Sequence, residues 1–208
     1  MTAPPRNEAR RTALKERHRR AIIDAAAALI HEHGSGRFTA DQLAARADVA
    51  RRTVFNHFPS TADVLIEVCA DRLDTLVTDY LALTAHTPAH HPTAFDDLAA
   101  ALRRTDLVPA MAYLTRAMEG TATPAQAPLM PRVFTALSQR LTDAITRQRP
   151  HTDPLETQLL VNTVIIGVST LYSHWAHQTG ATDTDHSRAL WHALVEQLLT
   201  RLHHGFGH

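Results

Sequence analysis

Arg51, Arg52, Thr53, Asn56 and His57 fall within seven consecutive residues, and their side chains suit one kind of chemistry. A guanidinium fork matches the O6 and N7 acceptors of guanine, and a carboxamide matches the N6 and N7 edge of adenine. Hydroxyl and imidazole groups suit phosphate oxygens, which fix register without reading sequence. The spacing leaves Val54 and Phe58, four apart, to face inward. The pattern therefore predicts a short helix over 51–57 that offers Arg51, Arg52 and Asn56 to bases, with Thr53 and His57 toward the backbone. An ordinary helical hairpin with a solvated basic face would carry the same spacing.

Other candidate chemistry is thinner. The chain has 15 His, but none joins a Cys or carboxylate at metal-ligand spacing. His31 and His33 point to different sides of a helix, and His174 and His177 can share a face. The loop residues His86, His90 and His91 are the only metal candidates, so no metal site is assigned. Cys69 lies on an apolar helix without a neighbouring base and reads as a buried structural thiol. With seven Gly there is no phosphate-cradling loop, and no catalytic signature or cofactor motif is present. The expectation is a protein that is not an enzyme.

The elements around 51–57 are legible. Thr39 with Gln42 three residues on forms a capping box that starts a helix, with Leu43, Ala44 and Ala47 on its inner face. Asp48 takes the turn, where a left-handed residue is needed. Pro59 stops the following helix, and Ser60 with Asp63 caps the next. Upstream, Ile22, Ala25, Ala26, Leu29 and Ile30 form a helical stripe that ends at Gly34.

Charge supports the same division. Residues 1–60 hold 11 Arg or Lys and 6 Asp or Glu, a surplus of +5; the remainder holds 10 and 15, a deficit of −5. A basic head on an acidic body favours nucleic acid, although the whole chain has zero net charge. Arg outnumbers Lys 20 to 1 throughout, a bias that genome composition explains. An apolar content of 44% is enough for a core. The single Cys excludes an internal disulfide and fits a reducing cytoplasm. No apolar run reaches the roughly 18 residues of a membrane span; the longest candidate, 159–168, is interrupted by Asn162 and Thr163.

Residues 1–14, with Pro4, Pro5, Arg6, Arg10 and Arg11, read as a mobile basic arm. Helices are predicted over 61–84, 95–104, 107–119, 129–149, 154–179 and 184–204. Segments 85–92 and 120–128 read as loops. Asp153, Pro154 and Glu156 supply a cap, an N1 proline and a first-turn acid. Leu159, Leu160, Val164, Gly167, Val168, Leu171 and Trp175 are assigned to one broad inner face. The last two helices suit a four-helix bundle with a second copy. Met111, Tyr113, Leu114, Met118, Phe134, Asn162 and Tyr172 are candidates to line a ligand pocket, or to fill a solid core.

The set Ile22, Ala25, Ala26, Leu29, Gly34, Phe38, Thr39, Leu43, Ala44, Arg46, Ala47, Val49, Arg52, Thr53, Phe55, His57, Phe58, Ser60 and Asp63 resembles the TetR family of transcriptional regulators over roughly residues 15–66. The resemblance implies an all-α protein: a three-helix DNA-binding head over 15–60 and a helical effector-binding and dimerisation domain over 61–208. It implies a cytoplasmic homodimer joined through the last two helices, a palindromic double-stranded DNA operator, an unidentified small-molecule effector and a repressor role. Arg46, Arg51, Arg52, Thr53, Phe55, Asn56, His57 and Thr61 occupy the DNA-facing positions, with Arg46 and Thr61 on the backbone. Three positions depart from the family pattern: Asp48 stands where Gly is usual, Ala50 replaces a capping Ser or Thr, and Thr61 replaces a phosphate-binding Lys. Phe55 also lacks the phenol often found there. These changes keep open an alternative, a helical small-molecule or metal sensor with weak or lost DNA binding.

Overall fold

In the computed structural model, residues 6–85, 93–119 and 129–205 are described, and they form nine α-helices and no strand. The order is α1 (Arg6–His33), α2 (Ala40–Arg46), α3 (Arg51–His57), α4 (Thr61–Ala85), α5 (Ala94–Arg104), α6 (Val108–Met118), α7 (Leu129–Gln148), α8 (Pro154–Thr179) and α9 (Asp185–His204). The all-α expectation holds. The loop histidines His86, His90 and His91, the prolines Pro4 and Pro5, and the segment 120–128 lie outside the described residues.

The backbone divides into two compact units, each described on its own. The first takes the described residues of Met1–Val68 and Arg116–Leu129; the second takes those of Cys69–Thr115 and Met130–His208. The division falls inside α4, eight residues beyond the boundary expected at residue 60, and adds the end of α6 to the first unit. The arm expected over residues 1–14 is helical from Arg6 onward. That stretch is rich in Arg, Ala, Leu, Lys and Glu, all strong helix formers, and lacks Gly and Pro. Its polarity hid it, because there is no apolar period to read until Ile22.

In the first unit α1, α2 and α3 pack on one another. Ile22, Ala26 and Leu43 are fully enclosed, and Val54, Phe58, Val64 and Leu65 complete the core. Gly34 closes α1 in the left-handed region at φ 68°, its N–H donating to Ile30 O. Two residues on, Gly36 is required for a different reason. Its N–H donates to Ala117 O at 2.7 Å, and a Cβ there would sit 2.5 Å from that oxygen and 2.9 Å from both Leu65 methyls.

The second unit is built around α8 packed on α9, with α5 against α9. Asp153 caps α8 through a bond from Leu155 N–H, Pro154 occupies the first turn, and Gly180 ends it at φ 62°. Gly167 lets the two helices approach closely, since a Cβ would meet a Leu198 methyl at 2.6 Å. The inner face of α8 is Val161, Val164, Ile165, Val168, Tyr172 and Trp175. Leu159 does not belong to it: it is 60% exposed and forms an outer stripe with Leu155 and Ile166. By length and composition α8 is also apolar enough to cross a bilayer, which the reading by uninterrupted runs missed. Cys69 is fully buried, and burial pushes its thiol up to about 12.

Candidate nucleic-acid interface

The helix pair α2–α3 is assembled by local rules. Thr39 Oγ1 accepts from Gln42 N–H at 3.2 Å, while Thr39 N–H donates to Gln42 Oε1 at 2.8 Å, so the capping box is complete. The turn after α2 is a Schellman arrangement: Val49 N–H reaches Ala44 O at 3.0 Å and Asp48 N–H faces Ala45 O at 3.4 Å. Asp48 supplies the left-handed residue at φ 51°. Ala50 precedes α3 with no side-chain cap, which forgoes about 1 kcal/mol. Burial of Val54 and Phe58 holds α3 in place instead.

That anchoring sorts the remaining side chains of α3. Arg51, Arg52, Phe55 and Asn56 are exposed, and Thr53 and His57 are half-buried. Arg51 Nη1 lies 3.2 Å from the Asp41 carboxylate, and its guanidinium sits over the Phe55 ring at 5.7 Å from the centroid. Arg52 forms no ion pair with any described residue. Phe55, which lacks a phenol, is 43% exposed. Arg46 is engaged elsewhere: both guanidinium ends donate to Glu32, at 2.5 and 3.1 Å. Those bonds hold the Glu32 carboxyl below its ordinary range. Thr61 opens α4, half-buried, beside the Ser60 hydroxyl that bonds Asp63 at 2.7 Å.

Thr53 and His57 face α1 rather than open solvent. With Asn56 they line a slot of about 330 Å³ whose other wall is Arg11, Leu14, Lys15 and His18. The His18 and His57 rings meet edge to face at 6.3 Å. Burial, followed by His18, Lys15 and Arg19, pushes the His57 imidazole below its ordinary 6.5, and Glu16 opposes the shift. The sequence reading missed this wall. The available signal was Arg11, Lys15 and His18 at four and three spacing, which marks one helical face.

The residues named for ligand binding do not gather into one site. Met111 and Leu114 are buried core, and Tyr113 lies under the Arg72 guanidinium at 4.6 Å. Met118 falls in the first unit. Phe134 and Asn162 do meet, in a cavity of about 390 Å³ between α7 and α8, with Met130, Ser138, Ile166 and Ser169. There Ser138 Oγ donates to Asn162 Oδ1 at 2.6 Å. Tyr172 is a neighbour: its ring packs on Phe134 at 5.9 Å, and its hydroxyl bonds Thr115 at 2.6 Å. Burial pushes the Tyr172 phenol up. Among the described residues no three His, Cys, Asp or Glu side chains form a metal-holding group.

A capped helix, a left-handed turn and an anchored helix with basic and amide side chains outward define a helix-turn-helix DNA-binding head. Residues 22–68 match the family described as bacterial regulatory proteins, tetR family. No curated protein sequence matches the chain. Among solved structures, it is similar to the fatty acid degradation regulator FadR from Bacillus halodurans, at 18% identity and TM-score 0.49, with 92% of this chain and 97% of that one covered. It is similar to a TetR-family transcriptional regulator from Mesorhizobium loti, at 18% identity and TM-score 0.48, with 89% and 96% covered. A third is FadR from Bacillus subtilis in complex with stearoyl-CoA, at 20% identity and TM-score 0.43, with 86% and 97% covered.

Proposed function

We propose that the chain is a cytoplasmic homodimeric transcriptional repressor that binds a palindromic operator and releases it when a small molecule enters its helical body. The observation that carries this reading is α3, which turns Arg52 and Asn56 outward while Val54 and Phe58 anchor it from beneath. Each head places α3 in a major groove. Arg52 and Asn56 read base edges, and Arg51 joins them when it leaves Asp41. Thr53, His57 and Thr61 meet the backbone, and Phe55 packs beside Arg51. Arg46 reaches phosphate only by leaving Glu32.

Two further features support the assembly and the response. The outer stripe of α8, with Leu155 and Leu159 each 60% exposed and Ile166 67% exposed, suits burial against a second copy. The α7–α8 cavity suits a mostly apolar effector with a few hydrogen-bonding groups, because Phe134 and Ile166 share it with Ser138 and Asn162. An effector releases DNA only if it binds the DNA-incompetent state better. No metal or cofactor is part of this reading.

Selection of duplexes from a random-sequence pool tests it, together with the protein's mass in solution. The expected result is a dimer enriching a two-fold-symmetric site with half-sites about one helical turn, roughly 34 Å, or a multiple of that, apart. A monomer that enriches nothing, yet binds small molecules, would favour the alternative of a sensor without DNA binding.

A further inference from the structure

We propose that the slot between α1 and α3 holds one phosphate of the DNA backbone, and that protonation of His57 tightens the grip. The inference rests on the DNA-binding reading of the head and assigns contacts to Arg11, Lys15 and His18, which lie outside the helix-turn-helix.

The slot is built from two facing stripes. On α1, Arg11, Lys15 and His18 follow one another at four and three residues; on α3, Thr53, Asn56 and His57 follow at three and one. Two fixed cations, two imidazoles, a hydroxyl and a carboxamide line about 330 Å³, and no carboxylate does. Four other cations of the head are matched. Arg19 pairs with Glu67 at 2.8 Å, Arg20 with Asp24 at 3.2 Å, Arg46 with Glu32 and Arg51 with Asp41. Arg11 and Lys15 have no carboxylate partner among the described residues. A concave cationic surface of this kind, beside a helix that faces DNA, is completed by an anion whose oxygens accept several hydrogen bonds.

The sign of the pH effect follows from what faces His57. Its own helix contributes Thr53 and Asn56, and α1 contributes Arg11, Lys15, Glu16, His18 and Arg19; Arg19 is itself tied to Glu67 of α4. Burial and the neighbouring basic groups disfavour the imidazolium, and only Glu16 favours it. A phosphate in the slot reverses that balance, because an anion stabilises the charged ring. Binding then takes up a proton, and by linkage affinity rises as pH falls.

The test uses the full-length protein and the duplex that it enriches from a random pool, with affinity measured across a salt series at about pH 6 and about pH 8. Wild-type protein is expected to bind more tightly at the lower pH, by up to roughly tenfold if the His57 pKa rises by one unit. His57→Gln should flatten that pH response. Lys15→Gln should weaken every sequence alike and reduce the salt slope by about one per head. The His57 ring resonances, followed by NMR, should titrate at higher pH once duplex is added. The proposal is overturned if Lys15→Gln keeps the wild-type salt slope and His57→Gln the wild-type pH profile while Arg52→Ala loses binding. In that case the head binds DNA without using the slot. Failure of the wild-type protein to enrich any duplex would overturn both the slot and the DNA-binding reading beneath it.

Discussion

Replacing Gly36 by Ala tests how tightly the head is assembled, and the cost can be worked from the geometry. The added Cβ would lie 2.5 Å from Ala117 O and 2.9 Å from the Leu65 methyls. Leu65 is buried and the carbonyl is backbone, so neither moves away freely. Overpacking of this kind costs about 1–3 kcal/mol. Displacing the carbonyl also weakens the 2.7 Å bond from Gly36 N–H, worth about 1 kcal/mol. Against this, Ala reduces the freedom of the unfolded chain by about 0.4–1 kcal/mol. The net expectation is a loss of about 1.5–3 kcal/mol. Gly34→Ala is the control: its Cβ meets nothing within 4 Å, so it bears only the left-handed strain, about 1–2 kcal/mol. Urea unfolding followed by circular dichroism should place the Gly36 midpoint lowest, at unchanged slope. A neutral or stabilised Gly36→Ala variant would refute the argument that Ala117 and Leu65 close over this position.

Three other expectations follow. Arg52→Ala should cost about 1–3 kcal/mol in discrimination at one base pair, while Arg51→Ala costs less because Arg51 must first leave Asp41; competition binding against single-base variants of the site decides this. The Cys69 thiol holds its proton up to about 12 when folded, against an ordinary 9.0. Its contribution is therefore complete below about pH 9 and falls as pH rises, by up to roughly 1.4 kcal/mol per pH unit; Cys69→Ala should flatten the stability curve between about pH 9 and 11 in alkaline denaturation. Leu159→Glu should shift the protein to monomer in sedimentation experiments, because Leu159 lies on the exposed stripe of α8; an unchanged dimer would place the interface elsewhere.

Legibility in the sequence followed the range of the forces involved. Caps and turns are short-range, so Thr39 with Gln42, Asp48, Pro154 and Gly180 were readable directly and sit as their chemistry requires. The anchoring of Val54 and Phe58 followed from spacing alone. Long-range pairings left no such trace. Arg46 meets Glu32 across 14 residues, and Arg149 meets the buried Asp97 at 2.6 Å across 52. Leu159 was misassigned because α8 is apolar on two sides, so periodicity could not separate its inner face from its outer one. Met111 and Leu114 looked like pocket residues by type, but packing made them core. The α1 wall of the slot is hard to read because its helix is polar before Ile22, and Arg11 and Leu14 fall in the stretch that reads as a mobile arm.

The central claim is that this head binds DNA sequence-selectively. The direct measurement is binding of the purified protein to the DNA upstream of its own coding region and to the duplex enriched from a random pool, each against scrambled DNA, across a salt series. Tight, selective binding to at least one of them, with affinity falling steeply as salt rises, is the predicted result. Equal, weak and salt-insensitive binding to every duplex would contradict the account.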